Sequence, residues 1–353
     1  MKILVTGGAG FIGSAVIRRA VLDRGYSVVN VDALTYAANP ANLAMLEGDD
    51  RYAFEHVDIR DAQALEAVFA RHDPDAVMHL AAESHVDRSI DGPVAFVETN
   101  VGGTVNLLQA ARAHRDRLSA DRRDGFRFHH ISTDEVYGTL GRQGHFTEES
   151  RYQPNSPYAA SKAASDMMVR AWGRTYALPV VISNCSNNYG PYQFPEKLIP
   201  VVILKALSGQ PIPVYGDGSN VRDWLYVDDH AEALLTILER GRLGEIYNVG
   251  GDAELSNLEL VKRICAIVDL ERPGAAPSER LIEFVKDRPG HDFRYAIDAA
   301  KIKNELGWAP SVDVDEGLAL TVRWYLENED WWRAILDRGF RQERLGLSKV
   351  GAA

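Results

Sequence analysis

The chain has only two cysteines, Cys185 and Cys265, among its 353 residues. Two thiols give no disulfide framework and no metal-ligand cluster. No apolar run approaches the ~20 residues of a membrane helix, and Ile3 to Val5 is too short for a signal h-region. Basic residues are outnumbered, 39 against 50 acidic, for a net charge of −11. That excludes bulk affinity for nucleic acid or an anionic membrane. It leaves room for an anionic small molecule, met by a few local cations and backbone N–H groups. No repeat or low-complexity block stands out. A cytoplasmic protein without metal, membrane or nucleic-acid partner is the simplest account. Its length suffices for one large or two ordinary domains with a substantial core.

What is present begins at once. Lys2 to Thr6 is a short β-branched-rich run, followed by Gly7-Gly8-Ala9-Gly10-Phe11-Ile12-Gly13. A helical pattern runs from Ser14 to Arg24 with Gly25 as its stop, and a second strand, Ser27 to Val31, ends in Asp32. Glycines permit the tight turn and let backbone approach a pyrophosphate at the helix N-terminus. An acid about 20 residues on suits ribose hydroxyls and repels a 2′-phosphate, which favours NAD over NADP. Glycines alone are weak; strand, glycines, helix, strand and acid in register are not.

The alternation continues. Arg51 to Val57 reads as a strand ending in Asp58-Ile59, Asp61 to Arg71 as a helix, and Ala76 to Leu80 as a strand ending in Ala81-Ala82-Glu83-Ser84-His85. Pro93 to His114 reads as one long helix, Arg117 to Gly125 as a solvated loop, and Phe126 to Ile131 as a buried strand. This order predicts an α/β fold: a Rossmann doubly wound parallel sheet with ligands at the strand carboxyl ends. Past the strand Leu178 to Asn184 the rhythm loosens, which suits a smaller mixed α/β substrate-binding domain. Tyr226 to Glu239 and Glu245 to Val249 look like a helix and strand returning to the first domain. The expected division is 1–185 plus roughly 225–250 for the dinucleotide, and roughly 186–224 plus 251–335 for substrate. Trp324 to Trp332 reads as helix packing, and 341–353 as a candidate disordered tail.

One stretch organises the chemistry. Ile131-Ser132-Thr133-Asp134-Glu135 puts a hydroxyl and two adjacent acids at a strand end, and Tyr158-Ala159-Ala160-Ser161-Lys162 opens a helical segment. At that spacing the phenol and ammonium share one helix face. A lysine beside a phenol is expected to lower the phenol's pKa and fit it to act as a base. Adjacent acids can be held in unequal protonation states by repulsion and unequal burial.

With these residues in view, the sequence resembles the extended short-chain dehydrogenase/reductase family and, within it, the dTDP-glucose 4,6-dehydratases. The markers are Thr6 to Gly13, Ala81 to Asp87, Thr133 to Gly138, Tyr158 to Lys162, Asn187 to Pro191, Glu196 to Pro200, Arg222-Asp223-Trp224 and Arg288 to Asp292. Asp134-Glu135 is the discriminating pair, since related epimerases carry small or hydroxyl residues there. The resemblance implies catalytic NAD, held by Gly7, Gly10, Phe11, Ile12, Gly13, Asp32, Leu34, Thr35, Asp58, Ile59, Leu80, Ala81, Ala82, Thr99 and Asn188 with Tyr158 and Lys162. It places the sugar nucleotide on Ser84, His85, Thr133, Asn187, Lys197, Leu198, Pro213, Tyr215, Arg222, Asn257, Arg288 and His291. It implies that Tyr158, beside Lys162, takes the 4-hydroxyl proton as hydride leaves carbon 4, with Thr133 polarising the ketone. Glu135 then removes the carbon-5 proton, Asp134 protonates the departing 6-hydroxyl, and hydride returns to carbon 6. It also implies a homodimer built on the Pro93 to His114 and Tyr158 to Tyr176 helices. One departure stands out: Ala33 occupies a position where the family commonly has Lys, which is expected to weaken NAD retention. Thymidine against uridine stays open. Other enzymes of the fold, a 4-epimerase, a decarboxylase or a dehydratase using a different nucleotide, are the near alternatives, and a non-catalytic NAD sensor the distant one.

Overall fold

A computed structural model describes residues 1–274, 276–287 and 290–337. Arg288 and the tail 341–353 lie outside the described residues. Seven strands form one parallel sheet: β1 (Lys2–Thr6), β2 (Ser27–Asp32), β3 (Tyr52–His56), β4 (Ala76–His79), β5 (Arg127–Thr133), β6 (Val180–Cys185) and β7 (Ile246–Val249). Their order is β3-β2-β1-β4-β5-β6-β7. The winding reverses between β1 and β4, which opens a crevice at the carboxyl ends of those strands.

Both sheet faces are covered, so the central strands are apolar on both sides. On one face the Phe11–Leu22 and Val227–Arg240 helices pack on Ile3, Val5 and Met78 through Val16, Ile17, Leu234 and Leu235. On the other, the Ala62–His72, Thr104–Arg115 and Pro157–Tyr176 helices cover Leu4, Val77 and Phe128 through Leu65, Phe69, Leu107 and Val169. Residues 227–249 thus return the chain to the first sheet, placing β7 beside β6. The segments between and after carry a second core. A three-stranded sheet (Asn187–Tyr189, Val221–Tyr226, Glu254–Ser256) and a parallel pair (Ile212–Tyr215, Ile282–Val285) pack against the Leu198–Leu207, Asn257–Glu271 and Val314–Glu327 helices. Trp324 stacks against Tyr192 and Trp331, with ring centroids 4.6 and 5.0 Å apart. Trp331 Nε1 donates to Asn42 Oδ1 at 2.9 Å, tying this end to the first layer.

Three local expectations need correction. The first helix starts at Phe11, not Ser14, because Gly10 already accepts the Ser14 N–H at 3.0 Å. The stretch from Pro93 is not one regular helix. It widens into a π-helical turn over Val97–Gly103 before resuming at Thr104–Arg115. Gly103 lies against Ile59, where a β-carbon would meet its Cδ1 at 2.6 Å. In the same turn, Asn100 is bracketed by the Glu83 backbone and Ser161 Oγ, so the helix is pinned to the site at two points. Finally, the loop before Phe126 contains a short solvated helix, Ala120–Gly125, fastened by Arg122 to Asp73 and Asp75.

Among the described residues five histidines are buried: His79, His129, His130 and His230 at or near the sheet, and His114 on the Thr104–Arg115 helix, where burial likewise lowers it. Burial is the first cause holding each below the ordinary imidazole range, with His129 and His230 both near 3. The unfolded chain therefore takes up protons below about pH 6.5 that the folded chain refuses. Stability is expected to fall as pH drops from about 6.5, by up to about 1.4 kcal/mol per pH unit for each histidine. Asp134 and Asp166, whose carboxyls burial raises, the latter to about 6, hold protons that the unfolded chain lacks and offset part of this fall. Melting temperatures between pH 7 and 5 check this; a flat curve would count against neutral burial.

Candidate active site

One cavity of about 710 Å³ runs along the carboxyl ends of the strands. At one end lie Asp32 and Asp58, at the middle the glycine turn, and at the other Thr133, Asp134, Glu135, Tyr158 and Lys162. Every site residue expected from the sequence lines it, except Leu34 and the undescribed Arg288. Leu34 adopts φ +50°, and its N–H bonds to Asp32 Oδ1 at 2.8 Å. It shapes the turn after β2 while Ala33 and Thr35 face the cavity.

The glycine turn is built for a dinucleotide. Gly7 takes φ +72° with Ala81 N 2.7 Å from where a β-carbon would sit, and at Gly13 one would meet Gly7 O at 2.2 Å. These two glycines let strand, turn and helix close on each other. Gly10 caps the Phe11–Leu22 helix without any side-chain bond to its first N–H groups, leaving that N-terminus facing the cavity as a phosphate would need. Asp32 accepts the Ala9 N–H at 2.9 Å, which locks the acid beside the turn. Asp58 is bound by Arg60, which lowers its pKa, and both line the adenosine end.

At the other end the groups come from three elements. Thr133 ends β5; its Oγ1 accepts the Glu135 N–H at 3.3 Å and donates to Asp134 Oδ1 at 3.3 Å. The short 3-10 turn Asp134–Tyr137 therefore starts on a capped threonine, with Asp134 pointing inward at 1 % exposure. Asp134 Oδ2 is buried with no hydrogen-bond partner. Burial, then the facing Glu135 and Asp223, push the Asp134 carboxyl well above the usual range. Tyr158 and Lys162 enter from the Pro157–Tyr176 helix, which Ser156 caps by accepting the Ala159 N–H. Burial holds the Lys162 ammonium below its ordinary value, and Nζ donates to Ile131 O at 2.9 Å.

The expected lowering of the phenol is not found. Tyr158 is pushed well above the ordinary phenol value, first by burial and then by Glu135, with a Thr133 hydrogen bond pulling the other way. Burial first and the Glu135 carboxylate second make the protein alone favour the protonated phenol.

The wall across from the sheet supplies cations. Lys197 Nζ donates to Ser84 O at 3.3 Å. Arg222 is buried, its guanidinium over the Tyr295 ring at 4.2 Å and bonded to Asp292 O at 3.0 Å. His291 meets Asp287 at 2.7 Å. His85 faces Glu196 at 3.7 Å, and Asn188 Oδ1 accepts from His230 Nδ1 at 2.8 Å. Asn187, Leu198, Pro213, Tyr215 and Asn257 complete that wall. Reading by sequence missed Lys205 and Glu196 among the lining residues. A signal existed for Lys205: it is the only charged residue on the apolar Leu198–Leu207 helix. Among the described residues no cluster of acidic, histidine or cysteine side chains could hold a metal, and no helix is long and apolar enough to cross a membrane.

A doubly wound sheet with this glycine turn, and a Tyr/Lys pair facing an acidic strand end, defines an NAD-binding oxidoreductase-type fold. Within it, the chain belongs to the GDP-mannose 4,6 dehydratase family, which it matches over residues 4–321. It is 58% identical over 353 residues to the dTDP-glucose 4,6-dehydratase of Neisseria meningitidis serogroup B, covering 99% of each chain. The dTDP-glucose 4,6-dehydratase of Streptomyces venezuelae, solved with NAD bound, is 48% identical with a TM-score of 0.86, over 95% of this chain and 100% of that one. The UDP-glucose 4-epimerase of Thermotoga maritima shares the fold too, at 31% identity and TM-score 0.82, over 93% of this chain and 100% of that one. Backbone shape alone therefore does not separate dehydration from epimerisation; side chains at the site do.

Proposed function

We propose that this chain removes water from dTDP-glucose, giving dTDP-4-keto-6-deoxyglucose, with NAD as a cofactor regenerated in each cycle. The observation that carries this reading is the buried Asp134 beside Glu135: one acid held protonated next to another at the end of β5. An epimerase needs a base for one hydroxyl, whereas elimination needs a proton donor and a proton acceptor on the same substrate.

NAD, when bound, would supply the hydride acceptor for carbon 4 and the hydride donor for carbon 6. Gly7, Gly10 and the helix N-terminus at Phe11 would hold its pyrophosphate, Asp32 its ribose, and Asp58 and Ile59 its adenine. Tyr158 receives the 4-hydroxyl proton, and Thr133 donates a hydrogen bond to the 4-oxygen as it becomes a ketone. That ketone acidifies carbon 5, whose proton passes to Glu135. Asp134 gives its proton to the departing 6-hydroxyl, and water leaves. Glu135 returns a proton to carbon 5. Lys197 and Arg222, with Arg288 from the sequence reading, counter the diphosphate that a net charge of −11 would otherwise repel. His85 and His291 are polar contacts without a proton-transfer role.

Two further points belong to the same reading. The chain acts in the cytoplasm, consistent with reduced thiols at the buried Cys185 and Cys265. It works as a homodimer through the faces carrying Val94, Val97, Met167 and Tyr176, which are 66%, 56%, 46% and 41% exposed. Sedimentation equilibrium should give twice the chain mass, and a monomer would remove this part.

The deciding experiment incubates purified protein with dTDP-glucose and follows product mass. Loss of one water without added NAD confirms dehydration by a carried cofactor. A requirement for added NAD keeps the chemistry and points to weak retention at Ala33. Turnover of UDP-glucose at equal efficiency would remove the thymidine assignment, and no mass change with either would overturn the reading.

A further inference from the structure

Asp166 is a fully buried carboxylate that the mechanism above does not use. It lies one helical turn beyond Lys162 and two beyond Tyr158 on the Pro157–Tyr176 helix, so all three project from one face. Its 1 % exposure is matched by dense donation. Ser132 Oγ and Tyr152 Oη both donate to Oδ2, at 2.8 and 3.0 Å, and His130 Nε2 stands 3.0 Å from Oδ1. Ser132 lines the catalytic cavity, whereas Asp166 and Tyr152 line a second cavity of about 260 Å³ with Glu148, Ser150 and Arg170. The Ser132–Asp166 hydrogen bond thus links the linings of the two cavities on the helix-covered face of β5.

A buried carboxylate with converging donors needs an opposite charge nearby, and a buried ammonium needs the same. We propose that Asp166 is a positioning residue for the oxidation step: its ionised carboxylate is the fixed counter-charge that keeps the Lys162 ammonium charged beside Tyr158. This rests on the assignment of Tyr158 and Lys162 to proton removal at the 4-hydroxyl. The ionisable groups around Asp166 agree with that role. Lys162 and Arg170 come from its own helix, His130 from β5, Tyr137 from the following turn, and Glu148, Glu149, Arg151 and Tyr152 from the loop that forms the second cavity. His130 is neutral by burial, and Lys162 is the first group that pulls the Asp166 carboxyl down against burial. Reciprocally, Asp166 is the first group that holds Lys162 up.

The balance is a proton balance. With Asp166 ionised, Lys162 keeps its proton and favours release of the Tyr158 proton. When Asp166 is protonated, Lys162 loses its partner, and the phenolate fraction falls about tenfold for each unit by which the Tyr158 pKa rises. The acid limb of the rate profile should therefore track Asp166, near pH 6.

The test measures kcat and KM against pH for Asp166→Asn, Tyr152→Phe and Tyr158→Phe, each with a circular-dichroism melt. Asp166→Asn keeps the size and can still accept from Ser132 and Tyr152. It should lower kcat roughly tenfold or more, leave KM for the sugar nucleotide in place, and abolish the acid limb near pH 6. Tyr152→Phe removes one donor to the carboxylate and should move that limb to higher pH. A limb unchanged in both variants overturns the proposal, as does wild-type kcat in Asp166→Asn. If Asp166→Asn fails to fold, the Tyr152→Phe limb decides. Tyr158→Phe separates the two levels: if it stays active the underlying assignment falls, whereas an inactive Tyr158→Phe beside a normal Asp166→Asn overturns this inference alone.

Discussion

Replacing Tyr158 with phenylalanine should lower kcat by about 10²–10⁴-fold, the span a positioned acid–base group contributes, with little change in KM. The ring itself is not the reactive part. It sits buried, edge-on to Phe96 with ring centroids 6.4 Å apart, and the phenylalanine keeps that packing. Only the oxygen proposed to take the 4-hydroxyl proton is lost. The variant should melt close to the wild type, since the hydroxyl's hydrogen bond to Thr133 is worth about 1 kcal/mol. Product mass over time, against NAD occupancy of the purified variant, checks this. A variant that turns over within a few-fold of wild type would place the base elsewhere. The raised phenol pKa sharpens the expectation. Because burial and Glu135 hold Tyr158 protonated in the protein alone, the cationic surroundings of the loaded site must do the lowering, and Lys162 must be charged to contribute.

Replacing Asp134 with asparagine should separate oxidation from elimination. The amide fits the same buried space and still accepts from Thr133, but it cannot protonate a leaving hydroxyl. Substrate oxidised at carbon 4 but still carrying its 6-hydroxyl should accumulate, and formation of dehydrated product should fall about 10²–10⁴-fold. Quenched samples analysed by mass distinguish the two species: the oxidised sugar has lost two hydrogens and the product one water, so they differ by one oxygen atom. Incorporation of solvent deuterium at carbon 5 gives a second readout. Exchange should persist in Asp134→Asn, where Glu135 is intact, and vanish in Glu135→Gln. Normal turnover in Asp134→Asn would remove the acid role. The pH dependence follows from the raised carboxyl: Asp134 keeps its proton to higher pH than an ordinary carboxyl, so its donation is lost later as pH rises.

The residues of this chain by themselves determined the first sheet and the list of site groups. Apolar runs of four to seven residues ending in Thr6, Asp32, His79, Thr133 and Cys185 can be buried on both faces only in a parallel sheet, and parallel order puts all their ends on one edge. That is why Asp32, Asp58, Ala81 and Thr133 could be assigned to one cavity from linear order alone. Tertiary structure decided the rest, for reasons that spacing does not carry. Lys162 reaches Ile131 O instead of the phenol because two side chains one turn apart are free to choose other partners. Asp134 and Glu135 are adjacent in sequence, but a 3-10 turn buries one at 1 % exposure and leaves the other half-buried, and this sets which holds the proton. Lys205 and Glu196 entered the cavity only when the second core folded against the sheet. Asp166 carried no motif, and its proximity to Ser132, His130 and Tyr152 exists only where strand, helix and loop converge. Local pattern fixes which backbone edge carries the chemistry; burial and partner choice, which are properties of the packed molecule, fix the charge on each group.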